Sequence, residues 1–263
     1  MTTERIQKLL ASAGIGSRRE VDRWLGEGLI SVNGVRAKPG DRASSEDKIR
    51  LRGKLLHIKP ADKRVCRVIS YHKPVGEIVA RRDPEGRPEV FSSLPRINSG
   101  RWVAVGRLDM NTSGLMLFTN DGELANKLMH PSSAIEREYA VRVLGDVGAD
   151  HLTQLVKGVP LDDGIASFDS VVEAGGSGAN RWFHVVLKEG RKREVRRLWE
   201  ALGFQVSRLI RIRYGSILLG RALRPGKWRD LDPSELGALY EAAGMERPET
   251  AVIPKRRQRP RRR

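Results

Sequence analysis

The sequence predicts an α+β protein of two domains. A small N-terminal domain over residues 1–60 and a linker over 61–64 precede a larger domain over 65–245, built on a mixed, largely antiparallel sheet. Three observations predict it. The chain has 263 residues, long for one domain and comfortable for two. Lys59-Pro60-Ala61-Asp62-Lys63-Arg64 is polar, charge-rich and proline-bearing, as linkers are. Beyond it, strand-like apolar runs alternate irregularly with a few short helical patterns, too few for regular βαβ crossovers.

The N-terminal elements follow from local chemistry. Ile6, Leu9, Leu10 and Ala13 recur at helical spacing until Gly14 breaks the run. Ser17-Arg18-Arg19-Glu20 fits a capping box, in which the serine hydroxyl and the glutamate each satisfy a free amide. The helix it opens carries Val21, Trp24 and Leu25 on one face and leaves Arg18, Arg19 and Arg23 for solvent or a partner, and Gly26 and Gly28 close it. Leu29-Ile30-Ser31-Val32 then runs into Asn33-Gly34, a hairpin signal because both residues tolerate positive φ. Short strands follow toward Ile49-Arg50-Leu51.

In the larger domain, strands are expected at 65–71, 102–105, 115–119, 139–143, 183–187 and 207–213, and helices at 123–129, 150–156 and 193–202. Gly175-Gly176-Ser177-Gly178 reads as a flexible loop. Residues 246–263 form a basic tail expected to be disordered. From Arg247 onward it holds eight basic residues and one acidic, net +7, which leaves +10 on the rest of the chain.

The net charge of +17 creates a long-range field that attracts polyanions, nucleic acid before membrane in a chain of this composition. The single cysteine, Cys66, excludes an intrachain disulfide and sits in an apolar run as a small hydrophobe. No segment approaches a membrane span, and the N-terminus lacks the apolar core of a signal peptide, so a cytoplasmic protein with no membrane partner is expected. The five histidines are scattered with no i, i+4 pair, and no metal site is expected.

The stretch from Gly106 to Gly122 packs small and polar residues between two apolar runs, where a rigid scaffold tends to hold function. Asp109-x-Asn111-x-Ser113-Gly114 begins like a calcium loop, but its twelfth position is Asn120 and a β-like run replaces the exit helix. No phosphate-loop pattern matches. A plain hairpin with Asp109 and Asn111 capping backbone amides remains open on these residues alone.

Two resemblances add to this reading. Residues 4–53, through Gln7-Lys8-Leu9-Leu10-Ala11, Gly14 to Glu20 and Ile30 to Gly34, resemble an S4 RNA-binding domain, whose arginine-bearing helix would dock on structured RNA. Gly106-Arg107-Leu108-Asp109-x-Asn111-Thr112-Ser113-Gly114-Leu115 resembles the catalytic motif of pseudouridine synthases of the RsuA/RluB type. Asn120 to Leu124, Glu138-Tyr139, Lys188 to Arg191 and Arg193 to Leu198 follow in that family's order.

The resemblance implies Asp109 as the catalytic aspartate, with Arg107 filling the space a departing uridine leaves. It implies Tyr139 stacked on the extruded base and assisting proton removal from C5, Arg196 ion-paired with Asp109, and Leu198 walling the pocket. It also implies a ribosomal RNA partner, 23S rRNA by the run from Arg193 to Gly215, free or in an assembly intermediate. The target would be the uridine numbered 2605 in the relatives of that kind. Met110, Met116 and Lys192 depart from the family pattern in ways that bear on target choice. A monomer is expected, and the reaction calls for no cofactor.

The chemistry gives the residue types a reason. Converting uridine to pseudouridine breaks N1–C1′ and makes C5–C1′, so a carboxylate either adds to the electron-poor ribose carbon or abstracts a ribose proton. Asp109 must be ionised in a pocket that by desolvation raises its pKa, and a nearby arginine opposes that shift. Alternatives stay open: a 16S rRNA synthase, or a non-catalytic RNA-binding ribosome-assembly factor. A nucleoside hydrolase would want paired carboxylates, and Asp121, the only nearby acid, reads as a helix cap.

Overall fold

The computed structural model describes residues 3–60, 65–97, 100–249 and 251. The linker expected over 61–64 and most of the tail lie outside the described residues.

In the N-terminal domain, β1 (Glu4–Arg5) leads into α1 (Ile6–Ser12), and α2 spans Arg18–Gly26. The capping box forms: Ser17 Oγ accepts from the Glu20 amide at 3.1 Å, and the Ser17 amide donates to Glu20 Oε2 at 2.7 Å. β2 (Ile30–Val32) and β3 (Val35–Arg36) make the hairpin, with φ of 51° at Asn33 and 91° at Gly34. β4 (Arg42–Ala43) pairs with β1, while β5 (Ile49–Leu51) and β6 (Lys54–Leu55) complete a sheet of order β3-β2-β5-β6. Ile6, Leu9, Leu10, Val21, Leu25, Ile30 and Ile49 fill the core between helices and sheet.

The larger domain opens with β7 (Val68–Lys73), β8 (Val103–Val105), β9 (Ser113–Thr119) and α3 (Gly122–Met129). There follow β10 (Arg137–Leu144), α4 (Ala149–Lys157), the small hairpin β11 (Val159–Leu161) and β12 (Gly164–Ala166), then β13 (Ser170–Ser177) and β14 (Asn180–Leu187). α5 (Glu194–Ala201), β15 (Gln205–Tyr214), β16 (Ile217–Leu218), β17 (Trp228–Asp230) and α6 (Pro233–Ala242) end it. The main sheet runs β13-β14-β10-β15-β9-β7-β17, with β8 on β9 and β16 on β15. Among the described strands of this sheet only β15 and β9 pair in parallel; the other pairs are antiparallel, as the sequence predicts.

β9 is buried on both faces, which is why it reads as a continuous apolar run rather than an alternation. Leu115 and Leu117 pack beneath α3 and α6, against Leu124, Leu128, Leu236 and Tyr240. Met116 and Phe118 point the other way, into the core shared with Tyr139, Val195, Leu198 and Trp199. Asp121 caps α3, accepting from the amides of Glu123 and Leu124 at 2.9 and 3.1 Å, so the helix-cap reading holds.

Three expectations need correction or completion. The loop at Gly175–Gly178 is instead the end of β13 and its turn, since Gly176 and Ser177 pair with Arg181 and Asn180 past a bulge. Glycine is required there because a Cβ on Gly176 would lie 2.3 Å from the Asn180 carbonyl oxygen. Helix α6 was not anticipated, although Asp232-Pro233-Ser234-Glu235 is a capping box with proline in the first turn. The tail expected to be disordered is described only at 246–249 and 251. There Arg247 donates to the Pro233 carbonyl at 3.1 Å and Ala251 is buried in a bridge with Cys66.

Gly114 holds the parallel junction of β9 with β15 together. Its φ is +112°, and a Cβ there would meet the Arg211 carbonyl oxygen at 2.3 Å and its nitrogen at 2.5 Å. Gly114→Ala should therefore cost about 3 kcal/mol, from backbone strain plus separation of β9 from β15. Urea melts would show this as a lower midpoint at unchanged slope, and a midpoint unchanged from wild type would refute the packing argument.

Candidate active site

The site forms where the loop after β8 turns into β9. The Thr112 amide donates to the Asp109 carbonyl at 3.0 Å, closing a tight turn that presents the Asp109 side chain outward. The backbone after Asp109 is clamped from below by buried cations. Lys73, fully buried at the end of β7, donates through Nζ to the carbonyls of Thr112 at 2.9 Å, Met110 at 3.4 Å and Pro74 at 2.9 Å. Arg196, 8% exposed, donates Nη2 to the Asn111 carbonyl and Nη1 to that of Val206, each at 2.9 Å. Arg211, 2% exposed, donates Nε to the Leu115 carbonyl at 2.7 Å. Three successive loop carbonyls, at 110, 111 and 112, are thus held by two guanidinium or ammonium groups.

These cations are costly. Burial pulls the Lys73 ammonium down to about 8, against smaller opposing pulls from Glu77 and Asp109. Burial, helped by Arg193, likewise lowers Arg196, while Asp109 and Glu200 oppose it. Among the described residues neither cation has a carboxylate within 4 Å, and neither does Asp109 have a cation. Neutral donors could hold carbonyls with a smaller desolvation cost, so the positive charge serves the exposed carboxylate above.

Above this floor lies a cavity of about 1200 Å³ lined by Arg107, Asp109, Tyr139, Val195, Leu209 and Phe91, among others. Tyr139 is 9% exposed and projects from β10 beside Arg211 in register. Arg107 stands exposed at the rim. The structure therefore brings together Asp109, Tyr139, Arg107 and Arg196. Arg18, Arg19 and Arg23 are exposed on α2 in the N-terminal domain.

Three expectations about these residues change. The ion pair of Arg196 with Asp109 is not formed; the guanidinium is spent on the Asn111 and Val206 carbonyls and acts on Asp109 through space. Leu198 is fully buried in the core and does not line the cavity, because it lies one helical turn beyond Val195, which does. Asp109 is exposed rather than desolvated by the protein, so its water is displaced only when a base enters.

Lys73 and Arg211 went unnoticed in the sequence. The signal for Lys73 was available: it is in phase with Ile69 and Tyr71, which puts a lysine on the buried face of a strand. No comparable signal marks Arg211, one of three arginines in the run from Arg208 to Arg213. Among the described residues, no group of three histidine, cysteine, aspartate or glutamate side chains is placed to hold a metal ion.

Comparison with known proteins agrees with this geometry. A family model described as RNA pseudouridylate synthase matches residues 67–201, and one for the S4 domain matches residues 4–49. A Yersinia pestis protein named ribosomal large subunit pseudouridine synthase B is 54% identical over 253 residues, covering 95% of this chain and 80% of its own length. The protein of that name from Escherichia coli strain K12 is 53% identical over 251 residues, covering 95% and 86%. A crystal structure of a pseudouridylate synthase superposes with a TM-score of 0.63 at 25% identity, covering 89% of this chain and 99% of the other. With the S4 domain in front and relatives more than half identical over most of its length, the chain belongs to the RNA pseudouridylate synthase family.

Proposed function

We propose that this protein isomerises one uridine of large-subunit (23S) ribosomal RNA to pseudouridine, with Asp109 as the catalytic group. The observation that carries the reading is an exposed aspartate, without a structural partner among the described residues, held on a loop clamped by buried cations beside Tyr139. The large-subunit target rests on the names of the relatives just given. Extruding the uridine costs a few kcal/mol of stacking and pairing, which the basic surface of both domains supplies through phosphate contacts.

In this reading Tyr139 stacks on the flipped uracil and assists the proton at C5, and Arg107 occupies the vacated stack. Arg196 and Lys73 fix the loop and favour the ionised carboxylate. Arg18, Arg19 and Arg23 contact the RNA backbone. The isomerisation is redox-neutral, breaks and makes one bond each at C1′, and calls for no cofactor. The protein acts as a cytoplasmic monomer on free rRNA or an assembly intermediate. No helix among the described residues is long and apolar enough to cross a membrane.

The test is tritium release from unmodified 23S rRNA labelled at uridine C5, with mapping of the product. Release with one pseudouridine mapped in 23S rRNA supports the reading. Release from 16S rRNA alone would keep the chemistry and move the target to the small subunit. Binding without release from either RNA, including as assembly intermediates, would make the protein an RNA-binding assembly factor.

A further inference from the structure

The two domains meet backbone to backbone. A Cβ on Gly14 would lie 2.6 Å from the Gly100 carbonyl oxygen, and one on Gly100 would lie 3.1 Å from that of Ser12, so two glycines allow the contact. Lys8 bridges to Glu123 at 3.5 Å across the same junction. Beside it, Arg101 follows Gly100 directly and stands within electrostatic reach of Glu20 and Arg18 on α2. Arg81 comes next: its guanidinium lies 4.4 Å above the Phe91 ring and donates to the Trp102 carbonyl. Phe91 in turn lines the catalytic cavity.

Charge along this line is unbalanced. Among the described residues, Arg18, Arg19, Arg81 and Arg101 have no carboxylate within 4 Å, and Arg23 has only Glu27 on its own helix at 3.8 Å. Glu20 is the carboxylate that acts on Arg81 and Arg101, and it is already committed to the capping box. Arg81 is exposed and Arg101 half-buried, and partial burial lowers the pKa of both. Mutual repulsion within the cluster adds to that lowering. Cations gathered without carboxylate partners beside the domain junction suit a ligand that brings negative charge at regular spacing.

We infer that the arginines along the domain junction, from α2 over Arg101 to Arg81, form a phosphate track, in which one RNA strand bound by the N-terminal domain runs to the cavity lined by Phe91. It rests on the proposed RNA substrate and deepens it by naming catalytic-domain residues that join the two RNA-binding surfaces. The track lets phosphate contacts on α2 contribute to holding a nucleotide extruded at Asp109. Glu20, the acid in the middle, weakens this track and keeps it from binding every RNA equally.

The test measures binding of an unmodified 23S rRNA fragment between about 50 and 200 mM salt, where log Kd is linear in log salt with a slope of about 0.7 per phosphate contact on a single strand. Arg81→Ala with Arg101→Ala should lower that slope by about 1.4, so the affinity lost across this range shrinks roughly sevenfold. Arg81→Lys with Arg101→Lys should keep the slope. Glu20→Gln, which preserves a capping-box residue, should tighten binding severalfold, a gain that misfolding does not produce. An unchanged slope in the double alanine variant, whatever its Kd, or no tightening in Glu20→Gln, overturns the track. Pseudouridine formed by wild type on the same RNA is scored separately. If it forms and the slope does not change, only the track fails. If none forms, the proposed reaction fails while the slopes still judge the track.

Discussion

Asp109→Asn should bind rRNA as wild type does and form no pseudouridine, a loss of at least about 10⁴-fold in rate, the scale on which removing an essential nucleophile or base is felt. The variant keeps the size and hydrogen-bonding shape of the side chain and removes only its charge. Both chemical routes need that charge, since a neutral amide neither adds to C1′ nor takes a ribose proton. Stability should change by less than about 1 kcal/mol, because the side chain is exposed and has no hydrogen-bond or ion-pair partner among the described residues. Its backbone carbonyl, which closes the turn with Thr112, is untouched by the substitution. Single-turnover assays at saturating enzyme, with melting curves alongside, would measure both. Residual turnover within tenfold of wild type would remove Asp109 from the chemistry and revive the reading of a turn residue that merely caps its neighbours.

Much of the fold that carries this candidate site is legible in the sequence, and the limits have physical causes. The motif from Gly106 to Leu115 announced Asp109, and Gly114 within it proves to be the residue that lets β9 approach Arg211 in the parallel pair. The N-terminal domain was legible almost element by element, because capping boxes, a glycine stop and an Asn-Gly turn are local and need no tertiary partner. The places where the sequence misled are long-range ones. Whether Arg196 reaches Asp109 or the carbonyl of Asn111 depends on how α5 packs 85 positions away, and no local pattern encodes that. Leu198 was misplaced by one helical turn for the same reason. At Gly175–Gly178 composition suggested a loop, but glycine was serving a close approach of backbones in a bulged hairpin.

Lys73→Met should lower kcat by two to three orders of magnitude while leaving RNA affinity nearly unchanged. Lys73 touches no face open to the substrate; it fixes the carbonyls of Met110 and Thr112, on either side of the one Arg196 holds. Methionine fills similar volume but frees those carbonyls, and a shift of about 1 Å in a positioned group can cost 10²-fold. The pH dependence separates this role from simple packing. Burial holds the Lys73 ammonium near 8, below the 10.5 of an ordinary lysine, so between those values the unfolded chain binds the extra proton. Stability from this group is therefore smallest below about pH 8, rises with pH, and is complete near 10.5. Wild type should gain up to about 3 kcal/mol on Lys73→Met across that window. Activity should move the other way. Above about pH 8 the neutral amine has two donors for three carbonyls and no charge to favour the Asp109 carboxylate, so the wild-type rate falls along a limb that Lys73→Met lacks. Burial alone predicts the stability trend but not the activity limb, and a wild-type rate that stays level through pH 9.5 while stability climbs would show that the buried ammonium costs stability without serving the reaction.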